Sequence, residues 1–162
     1  MPASAPFVAA WAVGMAFALF AAASALLIIV DLREHRLPNR LLAWSSGLVG
    51  GLLVIAASLG GEWGRLGSAI LAAAAYGVAM LGLRLLGRGA LGAGDVKLAP
   101  LVGAVSAWVD PWAAMLWTPL AIAVIGAVAG AVARRRRRVE LAFGPAMLAG
   151  CWLGLGLGAM PG

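Results

Sequence analysis

Apolar residues run along this chain in long unbroken stretches, interrupted by short polar clusters. A helix needs about 20 mainly apolar residues to cross a bilayer. Stretches of that kind extend from Phe7 to Val30, Leu41 to Leu59, Leu66 to Leu86, Val96 to Val109, Trp112 to Ala133 and Pro145 to Met160. The pattern predicts an all-α, polytopic membrane bundle of about six transmembrane helices, forming a single membrane-embedded domain over residues 1–162. The fourth stretch is short and stops at Asp110-Pro111, a pair that favours a turn because proline disfavours helical geometry in the residue before it. Helices four and five therefore form a tight hairpin.

Composition agrees with that pattern: of 162 residues 64% are hydrophobic and 11% charged, where soluble domains carry roughly 25% charged residues. The mean hydropathy is +1.01. The first stretch has no basic region before it and is longer than a secretory h-region of about 7–15 residues, so it is expected to be a retained span. Cys151 is the sole cysteine, which excludes an intrachain disulfide and a cysteine-built zinc site. No metal or other cofactor is expected.

The net charge of +6 does not point to nucleic acid, because five of the basic residues form one run, Arg134 to Arg138, and the others sit between apolar stretches. Anionic lipid headgroups are the expected partner. Arg33, Arg36 and Arg40 follow helix one, Arg84, Arg88 and Lys97 flank the loop between helices three and four, and the arginine run follows helix five. These are 11 of the 12 basic residues, and cytoplasmic loops are enriched in Lys and Arg. The bias places three connections inside and both termini outside. Trp11, Trp63, Trp108 and Trp112 then fall near the outer ends and Trp44 near an inner one, as interfacial anchors do. The four-residue spacings Gly47/Gly51, Gly126/Gly130, Gly150/Gly154 and Gly154/Gly158 suit close helix contact.

The chain has six acids: Asp31, Glu34, Glu62, Asp95, Asp110 and Glu140. Asp31 abuts the apolar run LLIIV, and Asp95 stands in GAGDVKL at the start of the fourth stretch. An ionisable group at or within the membrane boundary is costly, which makes it a functional candidate. Two complete spans separate these aspartates, so both return to the same face. If helices one and four are neighbours, the pair can share a proton, one acid staying protonated while the other activates water for attack on a peptide carbonyl. Asp31 at a helix end and Asp95 near a helix start suggest that Asp31 holds the proton and Asp95 is the base.

The segment DLREHRLPN, Asp31 to Asn39, resembles the first signature of type IV prepilin peptidases, and GAGDVKL, Gly92 to Leu98, resembles their G-x-G-D-x-K motif. Phe143-Gly144-Pro145 is similar to the Gly-Pro element that opens a late helix in these enzymes. The resemblance implies catalytic Asp31 and Asp95, with Pro38, Asn39, Gly92, Gly94, Lys97, Gly144 and Pro145 supporting them. It implies a membrane endopeptidase that cuts the basic leader from prepilins or pseudopilins after a glycine, at the cytoplasmic face of the inner (plasma) membrane. Larger members carry a cytoplasmic methylation domain with paired cysteines after helix one. Here nine residues separate Asp31 from Leu41, so a small peptidase-only form resembling those of tight-adherence pili is expected.

Other motif residues have readings of their own. Gly92 and Gly94 are expected in a loop, giving close backbone approach or positive φ. Pro38 and Asn39 set the turn into helix two, with Asn39 as its cap. Lys97 orients the loop or meets headgroups. His35, Glu34 and Glu140 read as solvated loop residues. A small proton- or cation-coupled transporter using the two aspartates is the rival reading. The acids lie at one rim, however, whereas transporter sites sit near the midplane between repeats, and no internal repeat is visible.

Overall fold

The computed structural model describes residues 5–34, 38–86, 92–135 and 143–158. Residues His35, Arg36, Arg88, Glu140 and Arg136 to Arg138 lie outside the described residues. Among the described residues six α-helices follow one another: α1 (Ala5–Glu34), α2 (Asn39–Gly60), α3 (Trp63–Leu86), α4 (Ala93–Val109), α5 (Thr118–Arg135) and α6 (Phe143–Gly158). A π-helical turn, Ala113–Trp117, leads into α5. Among the described residues there is no strand, and the molecule is an all-α membrane helix bundle.

Among the described residues four segments are long and apolar enough to cross a membrane: Ala5–Arg33, Asn39–Gly60, Trp63–Leu86 and Ala114–Val132. The other two helices are shorter, with 17 residues in α4 and 16 in α6. At 1.5 Å per residue they reach roughly 25 Å, less than a hydrocarbon core of about 30 Å. These two short helices form the middle of the bundle. Leu98, Ala99, Val102 and Val105 of α4 and Met147, Leu148 and Cys151 of α6 are wholly enclosed, together with Phe20 and Leu27 of α1.

Consecutive helices pair as antiparallel hairpins, α1 with α2, α3 with α4 and α5 with α6; the tight hairpin of helices four and five expected at Asp110-Pro111 does not form, because α4 packs on α3 and α6 and meets the π-helical turn more than α5 itself. The hairpins meet where α4 and α6 pack on each other and α6 packs on α1. In α3, by contrast, Leu71, Val78, Leu83 and Leu85 stay exposed and face outward. Lipid tails are as apolar as these side chains, so burial alone cannot drive helices together inside a bilayer and close packing must.

Glycine supplies that closeness at specific crossings. A Cβ on Gly103 of α4 would stand 2.6 Å from the Ala72 carbonyl oxygen of α3, and one on Gly150 of α6 would stand 2.6 Å from the Ile122 backbone nitrogen of α5. Gly154 packs against Thr118 in the same way, and Gly126 against the Phe143 ring. The four-residue spacing of Gly47 and Gly51 carries no such contact, because both look onto open space.

Polar side chains in the bundle bond to one another or to backbone. The Ser24 hydroxyl donates to the Phe20 carbonyl at 2.7 Å, and Thr118 donates to Ser106 at 3.1 Å, with the Cys151 sulfur 3.5 Å from Ser106. Tyr76 of α3 donates its hydroxyl to the Ala114 carbonyl at 2.5 Å, in the π-helical turn where the regular ladder is broken. The bonds of Tyr76, Thr118 and Ser106 thereby join the α3–α4 hairpin to the α5–α6 hairpin within the apolar layer.

The two kinds of glycine separate in one experiment. Gly103→Ala must push α3 away from α4 and should cost about 1–3 kcal/mol. Gly47→Ala, on an open face inside a helix, should be neutral or stabilising by up to about 1 kcal/mol. Thermal unfolding in detergent, read by dye labelling of the buried Cys151, measures both.

Candidate active site

The alternation of the helices brings one end of α1, the start of α2, the end of α3 and the starts of α4 and α6 to the same face of the bundle. Asp31 and Asp95 both lie there. Asp31 sits in the last turn of α1 and is 5% exposed, while Asp95, the third residue of α4, is 6% exposed. Carboxylates are rarely buried to this extent without compensation.

The two acids act on each other. Asp95 precedes the apolar run that begins at Val96, and its carboxyl is pushed up from 3.8 to about 6, chiefly by burial. The charge of Asp31 contributes to that rise, and a hydrogen bond from the Gly92 backbone N–H opposes it. Desolvation and a like-charged neighbour both disfavour the ionised form, whereas a donor to the carboxylate favours it. The structure thus brings together the two acids that the sequence singles out.

Local geometry around Asp95 differs from the sequence expectation in an instructive way. Gly92 and Gly94 were expected in a loop, but α4 starts at Ala93, so Gly94 and Asp95 belong to its first turn. Gly92 is the N-cap, with φ −60° and ψ 144°, ordinary extended backbone. Among the described residues the positive-φ glycine is Gly61 instead, closing α2. What Gly92 provides is room: a Cβ there would lie 3.0 Å from Asp95 Oδ2. Asp95, reaching back to the N-cap N–H, makes the N3 half of a capping box, so the helix start and the acid hold each other in place.

On the other side of the site, Asn39 does not cap α2. Pro38 holds the N-cap position with φ −68°, no side chain caps the helix, and Asn39 is its first helical residue. The Asn39 side-chain oxygen instead accepts a hydrogen bond from Lys97 Nζ at 2.8 Å. This contact ties the Asp31–Asn39 segment to the Gly92–Leu98 segment. Gly144 and Pro145 stand in the first turn of α6, Gly144 buried and Pro145 half-buried, where a proline is tolerated because the first turn has no N–H partner to lose.

The other acids stand elsewhere. Glu62 pairs with Arg65 at 2.8 Å in the opposite connection, and Asp110 accepts the Trp112 backbone N–H at 3.1 Å. A cavity of about 360 Å³ also lies at that far end, between Val13, Ala56, Glu62, Arg65 and Trp108. Glu34 ends α1, and its side chain is outside the described residues. The premise that would put the shared proton on Asp31 fails here: α1 continues to Glu34, so Asp31 is not the helix end that the dipole argument requires.

Residues 17–133 match the family model described as the type IV leader peptidase family. That stretch covers well over half of the chain and includes both acids, Pro38, Asn39, Gly92, Gly94 and Lys97, with Gly144 and Pro145 lying beyond it. No curated protein and no solved structure matches the chain. With an all-α membrane bundle and this match together, the chain belongs to the type IV leader peptidase family.

Proposed function

We propose that this family member is an aspartic endopeptidase whose catalytic pair is Asp31 and Asp95, and that it removes the basic leader of type IV prepilins or pseudopilins after a glycine. The observation that carries this reading is the burial of two carboxyls at one end of the bundle, with the charge of Asp31 among the causes that raise Asp95. A structural ion pair needs opposite charges, and two acids set against each other serve a proton-sharing reaction better than they serve stability.

In the reaction, the pair holds one proton between them. The ionised carboxylate accepts a proton from water as the water oxygen bonds to the scissile carbonyl carbon. The protonated carboxyl gives its proton to the carbonyl oxygen, leaving a neutral gem-diol. The C–N bond then breaks as one diol hydroxyl gives its proton to the second acid, now ionised, and the amine nitrogen takes the proton that the first acid accepted from water. Atoms and charge balance without a further reactant. Which acid starts protonated is a property of the coupled pair.

Basic residues bordering this end of the bundle, Arg33, Arg40, Arg84 and Lys97 among them, support a cytoplasmic placement of the site in the inner membrane. The short connection after α1 supports a peptidase-only domain without an inserted methylation domain. The arginine run would repel a basic leader and is better read as a lipid anchor.

Co-expression with a candidate prepilin, followed by gel shift and N-terminal sequencing, tests the reading. The wild type should cut after the leader glycine, and Asp31→Asn and Asp95→Asn should each lose roughly 10³-fold or more in rate while still folding. Persistent cutting in either variant would exclude the aspartic pair.

Burial also sets the sign of a stability effect. The folded-state value of Asp95, about 6, exceeds the ordinary carboxyl value of 3.8, so the folded chain keeps a proton that the unfolded chain releases. Stability contributed by this group is therefore lost as pH rises from about 3.8 to about 6. Asp95→Asn does not titrate, and its melting temperature in detergent should exceed that of the wild type at pH 7.5. The gain should vanish near pH 4.

A further inference from the structure

We propose that Lys97 and Asn39 form a rotational stop on the first turn of α4, a positioning pair that keeps Asp95 turned toward Asp31. The inference rests on the peptidase reading above for its kinetic arm only.

Asp31 and Asp95 belong to different hairpins. Along most of its length α1 packs on α2 and α6, and α4 packs on α3 and α6, with a smaller contact to α2. Direct packing between α1 and α4 is too sparse to hold the two carboxyls in register. Something else must fix how α4 is turned about its own axis at the site.

The first turn of α4 is also loosely joined to the rest of its helix. Pro100 stands inside α4, and a proline has no N–H to donate to the carbonyl four residues earlier. The Val96 carbonyl therefore lacks its usual partner just after the turn that carries Asp95. Gly92 and Gly94 add backbone freedom on the other side. Capping by Gly92 fixes Asp95 relative to its own turn and not relative to α1.

Lys97 is placed to supply the missing constraint. Two residues advance a helix by about 200°, so Lys97 projects from the side of α4 opposite Asp95. Asp95 is buried facing the charge of Asp31, and Lys97 reaches Asn39, the first residue of α2, at 2.8 Å. The turn is thereby held from both sides. Side chains lie roughly 5–6 Å from a helix axis, so a rotation of about 10° moves a carboxylate by about 1 Å. Displacements of that size can cost about 100-fold in rate.

The stop makes two kinds of prediction. With a prepilin substrate, Lys97→Met and Asn39→Ala should each lower kcat by about 10- to 100-fold with KM nearly unchanged. The double variant should be no worse than the poorer single one, and Asn39→Asp, which still accepts from the ammonium, should stay near wild type. An effect confined to KM, an unchanged kcat or additive losses would overturn the proposal. Asn39 is exposed, so its variants keep the test open should Lys97→Met fold poorly.

The second arm needs no substrate. Carboxyl infrared titration of Asp95 in lipid nanodiscs should show a lower midpoint in Lys97→Met and in Asn39→Ala, because a turned Asp95 is less buried and farther from Asp31. Loss of a nearby positive charge alone would raise the midpoint, so an unchanged or raised value refutes the stop. If the wild type fails to cut any prepilin while the midpoints fall as expected, the functional reading is wrong and the stop stands.

Discussion

Two carboxylates enclosed at the same end of a bundle cannot both carry charge without a large cost, and much of this chain is organised around that constraint. Asp31 and Asp95 reach one another because an even number of crossings separates them and because each occupies a terminal turn. Gly92 leaves the space beside Asp95 Oδ2 and offers it an N–H. Without those features the acid would stand in water or lose its helix start, and the mutual effect with Asp31 would go.

The remainder of the bundle makes a firm platform for this end. Its centre is built from the shortest helices, α4 and α6, with α3 largely turned outward. Since apolar burial gives no net drive within lipid, close approach is secured by glycine against backbone at Gly103 and Gly150. Hydrogen bonds from Tyr76 to Ala114 and from Thr118 to Ser106 link helices in a medium where an unmade bond is costly. The far end holds an ion pair and a cavity but neither of the paired acids.

Much of this is legible in the sequence. Length and hydropathy of the apolar stretches report helices directly, and the parity of crossings places the two acids at the same face of the bundle, though it does not by itself set them side by side. Helix ends are less legible. GAGD reads as a loop because glycine is a poor helix former, yet tertiary packing of Leu98 and Ala99 carries α4 back to Ala93. Polar Asp31 to Glu34 reads as an exit from α1, but the helix runs on through them. Non-local contacts are the least visible. Asn39 has the chemistry of a cap, and only the fold shows that its partner is Lys97, 58 residues away. Gly47 and Gly51 share the spacing of Gly150 and Gly154, and nothing in spacing alone tells an open face from a crossing.

The central claim is that Asp31 and Asp95 behave as one coupled unit, and infrared titration of the Asp95 carboxyl in the wild type and in Asp31→Asn tests it most directly. The account predicts a midpoint near 6 in the wild type that falls in the variant yet stays above 3.8, because burial is the larger cause and survives the substitution. A midpoint that does not move when the Asp31 charge is removed would contradict the pairing.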